Sequence, residues 1–139
     1  MANIITKVMN FLVGRMGFNL DGTKVLTVPG RTSGEPRSVV VNPLNLKGIS
    51  YLVSPRGETQ WVKNVRAAGM LSLHRGRDVE TYRAIEVHDP EEKLAVIRAY
   101  LERWGWPVKG LMGVDKGSSD EALGAILDKH PVFTLRRKE

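Results

Sequence analysis

Lys24-Val25-Leu26-Thr27-Val28-Pro29-Gly30-Arg31-Thr32-Ser33-Gly34-Glu35-Pro36-Arg37-Ser38-Val39-Val40-Val41 leads one β-branched run into a loop crowded with turn residues and a second run out of it. Valine and threonine are stiff at χ1 and fit a pleated surface, whereas proline and glycine interrupt it, so the stretch predicts strand, loop, strand. The pattern recurs outward from there. The second strand is predicted from Arg37 to Leu46, with others over Ser50 to Val53, Met70 to His74, Val79 to Val87 and Val132 to Leu135. Leu46-Lys47-Gly48-Ile49 and His74-Arg75-Gly76-Arg77-Asp78 have the composition of hairpin turns, which makes successive strands antiparallel neighbours. A sheet of about six short strands with such brief connections curls into a barrel or a sandwich.

Helices are predicted around this sheet. Asp89-Pro90-Glu91-Glu92 places an acid at the N-cap, proline at N1 and glutamate at N3, ahead of Leu94, Ile97, Leu101 and Trp104 on one face. Ser118-Ser119-Asp120-Glu121 is a second capping box before Leu123, Ile126 and Leu127. A third helix runs from Thr59 to Ala68 and ends at Gly69, a C-cap glycine. Ile5, Val8, Met9, Leu12 and Met16 recur at helical spacing, so residues 1–17 read as a short amphipathic helix. Such a helix either packs over the core or lies on an anionic membrane surface. The fold class is α+β, with one domain over residues 1–139 and no internal repeat.

Composition excludes several chemistries. With no cysteine there is no disulfide scaffold, thiolate metal site or cysteine nucleophile, so redox work requires a borrowed cofactor. His74, His88 and His130 stand in separate segments without ligand spacing, and no metal is expected. The net charge of +6 suits an anionic partner, whether nucleic acid, membrane surface or a phosphate- or carboxylate-rich ligand. Nucleic acid ranks lowest, because the arginines cluster with glycine turns and not on a helix-turn-helix or an aromatic-studded sheet. Ile4 to Met16 is too short to span a bilayer and lacks a signal-peptide cleavage site. A cytoplasmic protein is expected, with peripheral contact at the inner face of the plasma membrane as the alternative.

Two segments concentrate the polar chemistry. In Pro29 to Arg37, glycines let backbone N–H groups converge while Arg31, Thr32, Ser33 and Arg37 add donors suited to phosphate or carboxylate. The same string also reads as a solvated hairpin loop. It is not a nucleotide P-loop, since Gly34 is followed by Glu35 and not by Lys and a hydroxyl residue. In Val53 to Asn64 a strand passes through Ser54-Pro55-Arg56-Gly57 directly into a helix, presenting free N–H groups and a positive dipole end. Trp61 and Asn64 share a face of that helix, either to meet a planar ligand or as a core Trp beside a solvated Asn.

Taken in order, Gly30-Arg31-x-Ser33-Gly34-x-Pro36-Arg37, Asn42-Pro43, and Ser54-Pro55-Arg56-Gly57-x-x-x-Trp61-x-x-Asn64-Val65-Arg66-Ala67 resemble the deazaflavin-dependent nitroreductase family, whose members use coenzyme F420. The likeness runs from about Leu26 to Val87, and His130-Pro131-Val132-Phe133 is similar to the tail of some members. The resemblance implies a split β-barrel like that of flavin-mononucleotide oxidases. It implies that Arg31, Thr32, Ser33 and Arg37 hold the cofactor's phosphate and polyglutamate tail, and that Ser54, Arg56, Gly57, Trp61 and Asn64 line phosphate and deazaflavin ring. FMN is the rival cofactor. Two departures stand out: Thr32 replaces a lysine usual in members that reduce bulky nitroaromatics, and Tyr100, Trp104, Trp106 and Met112 replace their later tyrosines.

The activity implied is hydride transfer between reduced deazaflavin and a hydrophobic acceptor such as a quinone, an enone or an unsaturated lipid. A non-catalytic protein of the same fold that binds deazaflavin or a fatty acid is the alternative. No catalytic residue is assigned; Ser54, Tyr51 and Tyr100 are the conceivable proton donors. Trp104, Trp106, Val108, Leu111 and Met112 form either a lid over the acceptor or a core plug. Oligomeric state is not readable from the sequence.

Overall fold

The computed structural model describes residues 22–105 and 110–138. The amphipathic helix predicted over 1–17, and Trp106 and Val108 of the apolar set, lie outside the described residues. The strands are β1 (Lys24–Pro29), β2 (Pro36–Val41), β3 (Leu44–Leu46), β4 (Ile49–Val53), β5 (Met70–Arg75), β6 (Asp78–Glu86) and β7 (Val132–Arg137). The helices are α1 (Gln60–Ala68), α2 (Pro90–Trp104) and α3 (Asp120–Gly124), with a 3-10 turn at Leu127–Lys129.

All seven strands form one sheet in the order β2-β1-β5-β6-β7-β4-β3, and every adjacent pair is antiparallel. Strands β2 and β3 occupy its two edges, yet only Asn42 and Pro43 separate them in the chain. In a flat sheet, six inter-strand steps of ~4.8 Å would hold those edges ~29 Å apart, whereas three peptide units reach at most ~11 Å. The sheet therefore curls until its edges approach, and because β2 and β3 do not pair, the barrel stays split along that seam.

Two expectations are corrected at the seam. The run Arg37 to Leu46 is two strands, because Pro43 lacks the N–H a continuous ladder would need. Nor are successive strands always neighbours: β2 and β3 lie at opposite edges, and β4 and β5 are separated by β7 and β6. The hairpins β1–β2, β3–β4 and β5–β6 are as the turn residues require.

The helix boundaries follow their caps. The Asp89 carboxylate accepts the N–H of Glu92 at 3.1 Å with Pro90 next in the chain, and Ser119 Oγ accepts the N–H of Ala122 at 3.1 Å. Gly69, in the left-handed region at φ 74°, closes α1 with its N–H on the Val65 carbonyl at 2.8 Å. Alternation along β4 and β7 divides the core in two. Tyr51, Val53 and Val132 join Val96, Ile97 and Leu101 of α2, while Leu52 and Phe133 face Leu26, Val28, Leu71 and the Val62 and Val65 side chains of α1. The end of β4 thus lies between the cores, which places the β4–α1 turn at the mouth of the split barrel.

Candidate functional site

A cavity of about 940 Å³ opens at this mouth. Its walls are the β1–β2 loop from Gly30 to Ser33, every residue from Pro36 to Asn42, the turn from Val53 to Arg56, the start of α1, and Tyr100. Successive side chains of a strand point to opposite faces, so a cavity lined by consecutive residues lies along the open edge of β2. There the backbone N–H and C=O groups that no neighbouring strand takes among the described residues are available to a polar ligand. Among the described residues the lining includes Arg31, Arg37 and Arg56 and no carboxylate.

The loop is built around its cations. The Gly30 N–H bonds the Glu35 carbonyl at 2.8 Å and the Gly34 N–H bonds that of Gly30 at 2.9 Å, folding the loop on itself. A Cβ at Gly30 would fall 3.0 Å from Ser33 Oγ and 3.3 Å from Arg37 Nε, so the glycine makes room for both side chains. Arg31 donates to Asn64 Oδ1 from its backbone N–H at 3.0 Å and from its guanidinium at 2.8 Å, and to Gln60 Oε1 at 2.9 Å. Both acceptors are neutral amides, so Arg31 is held in place with its charge uncancelled. Arg66, one turn along from Val62, has the opposite fate: Glu86 at 2.8 Å and Glu58 at 3.0 Å neutralise it away from the cavity.

The turn into α1 is braced from β7. Ser54 is fully buried; its hydroxyl donates to the Gly57 carbonyl at 2.6 Å and its N–H to the Pro131 carbonyl at 2.9 Å. The Ser54 carbonyl faces His130 Nδ1 at 3.0 Å, and a carbonyl only accepts, so Nδ1 carries the proton. Burial lowers the pKa of His130, against the raising effect of that bond, and keeps the ring neutral. Gly57 sits behind the wall at φ 85°, where an added Cβ would be 3.0 Å from the Lys129 carbonyl oxygen. Thr59, the N-cap of α1, makes no side-chain capping bond, and its Oγ1 is buried without a partner. No acid occupies the first turn of α1, whereas α2 and α3 carry Glu91 and Glu92, and Asp120 and Glu121, in theirs. An orphaned hydroxyl and an uncompensated helix N-terminus in an arginine-lined cavity form a receptor for an anion such as a phosphate.

Residues 2–105 match the family model described as F420H(2)-dependent quinone reductase. The chain belongs to that family. Membership makes coenzyme F420 the cofactor and the chain an F420-dependent oxidoreductase. Among solved structures, an F420-H2 dependent reductase is 21% identical with a TM-score of 0.59, over 84% of this chain and 95% of that one. A conserved hypothetical protein from Mycobacterium tuberculosis is 16% identical with a TM-score of 0.63, over 96% of this chain and 80% of its own. A protein described as a domain-swapped dimer is 18% identical with a TM-score of 0.59, over 94% and 98%. At these identities the likeness carries the fold, a split barrel, as the strand pattern implies. No curated protein matches the chain.

For an F420-dependent family member, this cavity is chemically apt. F420 is a planar deazaflavin on an acidic tail, and the chain offers three arginines, the orphaned Thr59 hydroxyl and the open β2 edge. Of the residues expected from sequence, Arg31, Thr32, Ser33, Arg37, Ser54, Arg56, Trp61 and Asn64 line the cavity and Gly57 does not. Three have altered roles. Ser54 spends its hydroxyl on the turn, Asn64 anchors Arg31, and Trp61 is shared with the core, tilted against Phe133 at 6.1 Å between ring centroids. The Ser38 to Val41 stretch was not expected there, Thr59 and Gln60 lie in the expected Val53 to Asn64 segment without having been singled out, and Tyr100, a conceivable proton donor, does line the cavity. Asn42-Pro43 was legible as part of the family pattern, and Tyr100 shares the apolar stripe of α2 with Ile97 and Leu101. Tyr51, conceivable as a proton donor, lies off the cavity and donates to Glu92 at 2.8 Å. Of the two readings of the apolar set, Trp104 and Met112 fit the core plug and not the lid: both pack with the α2 core, Arg103 stacks 4.1 Å over the Trp104 ring, and neither lines the cavity.

Proposed function

We propose that this chain, acting as one domain over residues 1–139, moves a hydride from reduced F420 to a hydrophobic, quinone-like acceptor within the cavity at the barrel seam. The observation that carries this reading is the cavity's charge pattern among the described residues: Arg31, Arg37 and Arg56 with no carboxylate, beside the unpaired Thr59 Oγ1 at the N-terminus of α1. When bound, the cofactor supplies the hydride. The protein supplies position and exclusion of water. Arg31 and Arg37, with Thr32 and Ser33, receive acidic groups of the tail, and Arg56 and the α1 N-terminus receive phosphate. Ser54 and Gly57 hold the turn in shape, Asn64 fixes Arg31, and Trp61 offers an apolar surface to a planar ring.

Mixing purified protein with reduced F420 and a panel of quinones, enones and nitroaromatics tests this reading through the cofactor's absorbance. Oxidation dependent on protein and fastest with quinones is expected. Tight binding without oxidation of any acceptor would establish the non-catalytic binding protein instead.

A further inference from the structure

Tyr100 is the one cavity residue contributed by α2, and its neighbours on that helix, Val96, Ile97 and Leu101, are core. Its ring belongs to the same core, and only 1% of the residue is exposed. Its oxygen end nevertheless meets Asn42, which lies on the cavity wall where β2 stops and the chain crosses the seam. Arg37 and Asn42 are five residues apart on an extended strand, ~17 Å, so the cavity runs from a cationic end to a neutral one along β2. The neutral end is walled by Val41, Val53, Asn42 and Tyr100.

Burial raises the pKa of the Tyr100 phenol, and the side-chain hydrogen bond it shares with Asn42 partly offsets that. An amide offers a phenol both an N–H and a carbonyl, and with the Asn42 N–H as donor the phenol's own proton is free for a ligand in the cavity. Resting on the function proposed above, we propose that the Tyr100 O–H, at the cavity wall, donates a hydrogen bond to the carbonyl oxygen of the acceptor, with Asn42 as the positioning residue that aims it. Acceptors carrying a carbonyl conjugated to the reacting carbon are then the favoured class. On reduction such an acceptor gains a hydride, hence two electrons, from the reduced cofactor; its C=O π pair moves onto oxygen, and the O–H of Tyr100 stabilises the oxyanion as it forms. Burial pushes the phenol up to about 12, so it stays protonated throughout and serves as a donor, not an acid. Water supplies the proton that completes the product, and the cofactor leaves oxidised by two electrons.

Tyr100→Phe keeps the ring in the core and removes only the oxygen. Wild type and variant are compared in three measurements: F420 binding by fluorescence, menadione binding to cofactor-free protein by tryptophan quenching, and steady-state reduction of menadione and of methylene blue, which accepts a hydride without a carbonyl. The expected result is F420 affinity unchanged within about twofold, menadione binding weakened by about 2–10-fold, and menadione kcat reduced at least ~10-fold with methylene blue spared. Equal menadione binding and turnover in the two proteins overturns the proposal, and so does a parallel loss with both acceptors, which marks a structural role. If wild type fails to bind F420, the proposed function falls, while the menadione-binding arm still decides Tyr100.

Discussion

Arg37 and Arg66 carry the same guanidinium into opposite electrostatic settings. Arg37 lines a cavity without carboxylates among the described residues, whereas Arg66 is clamped between Glu86 and Glu58, which raise its pKa further, Glu86 foremost. Arg37→Ala is expected to weaken F420 binding by about 1.5–3 kcal/mol, the scale for losing a hydrogen bond to a charged group, as read by fluorescence titration. Arg66→Ala should leave that affinity unchanged and cost at most ~1 kcal/mol of stability, because its ion pairs are solvent-exposed. The two arginines cannot be told apart in the sequence: Glu86 reaches Arg66 from β6, twenty residues away. The loop residues Arg31 to Arg37 were legible because glycine, hydroxyl and cation crowd one short segment. Thr59 was not singled out and Tyr100 was named only as a conceivable proton donor, since the burial that makes them matter comes from contacts between distant segments.

Gly57 shows how the β4–α1 element shapes the site without touching a ligand. Its φ of 85° and the Lys129 carbonyl oxygen, 3.0 Å from where a Cβ would stand, leave no room for a side chain. Gly57→Ala is expected to lose ~1–3 kcal/mol by urea denaturation, from the left-handed penalty plus the clash. F420 affinity should fall with it, because Ser54 and the α1 N-terminus share that turn. Element boundaries are largely readable from local chemistry: Asp89 and Ser119 cap their helices, and Gly69 ends α1. Where tertiary closure decides, local chemistry falls short: Pro43 marks a break in the run from Arg37 to Leu46, but nothing local says that the chain changes sheet edge there.

At the scale of the whole molecule, two buried imidazoles set the acid limit. Burial lowers the pKa of both His74, whose ring nitrogens have no hydrogen-bond partner among the described residues, and His130. Unfolded histidine titrates near 6.5, so between that value and the lower folded ones the unfolded chain binds more protons. Stability is fully present above about pH 6.5 and is lost as pH falls through the folded values; Tm measured from pH 8 to 5 should be flat and then decline. His74→Leu should flatten the acid limb in proportion to its share. No helix among the described residues is long and apolar enough to cross a membrane. In a chain of net charge +6, the fold brings Arg31, Arg37 and Arg56 together at one seam, where β2, α1 and the loop between β1 and β2 meet. The central claim is that this seam holds a deazaflavin by its acidic tail, and a fluorescence titration of the purified protein with F420 beside FMN tests it most directly. F420 should bind at micromolar concentration or tighter and weaken as salt is raised, with FMN weaker at every ionic strength; micromolar or tighter binding of FMN with none of F420 would contradict the account.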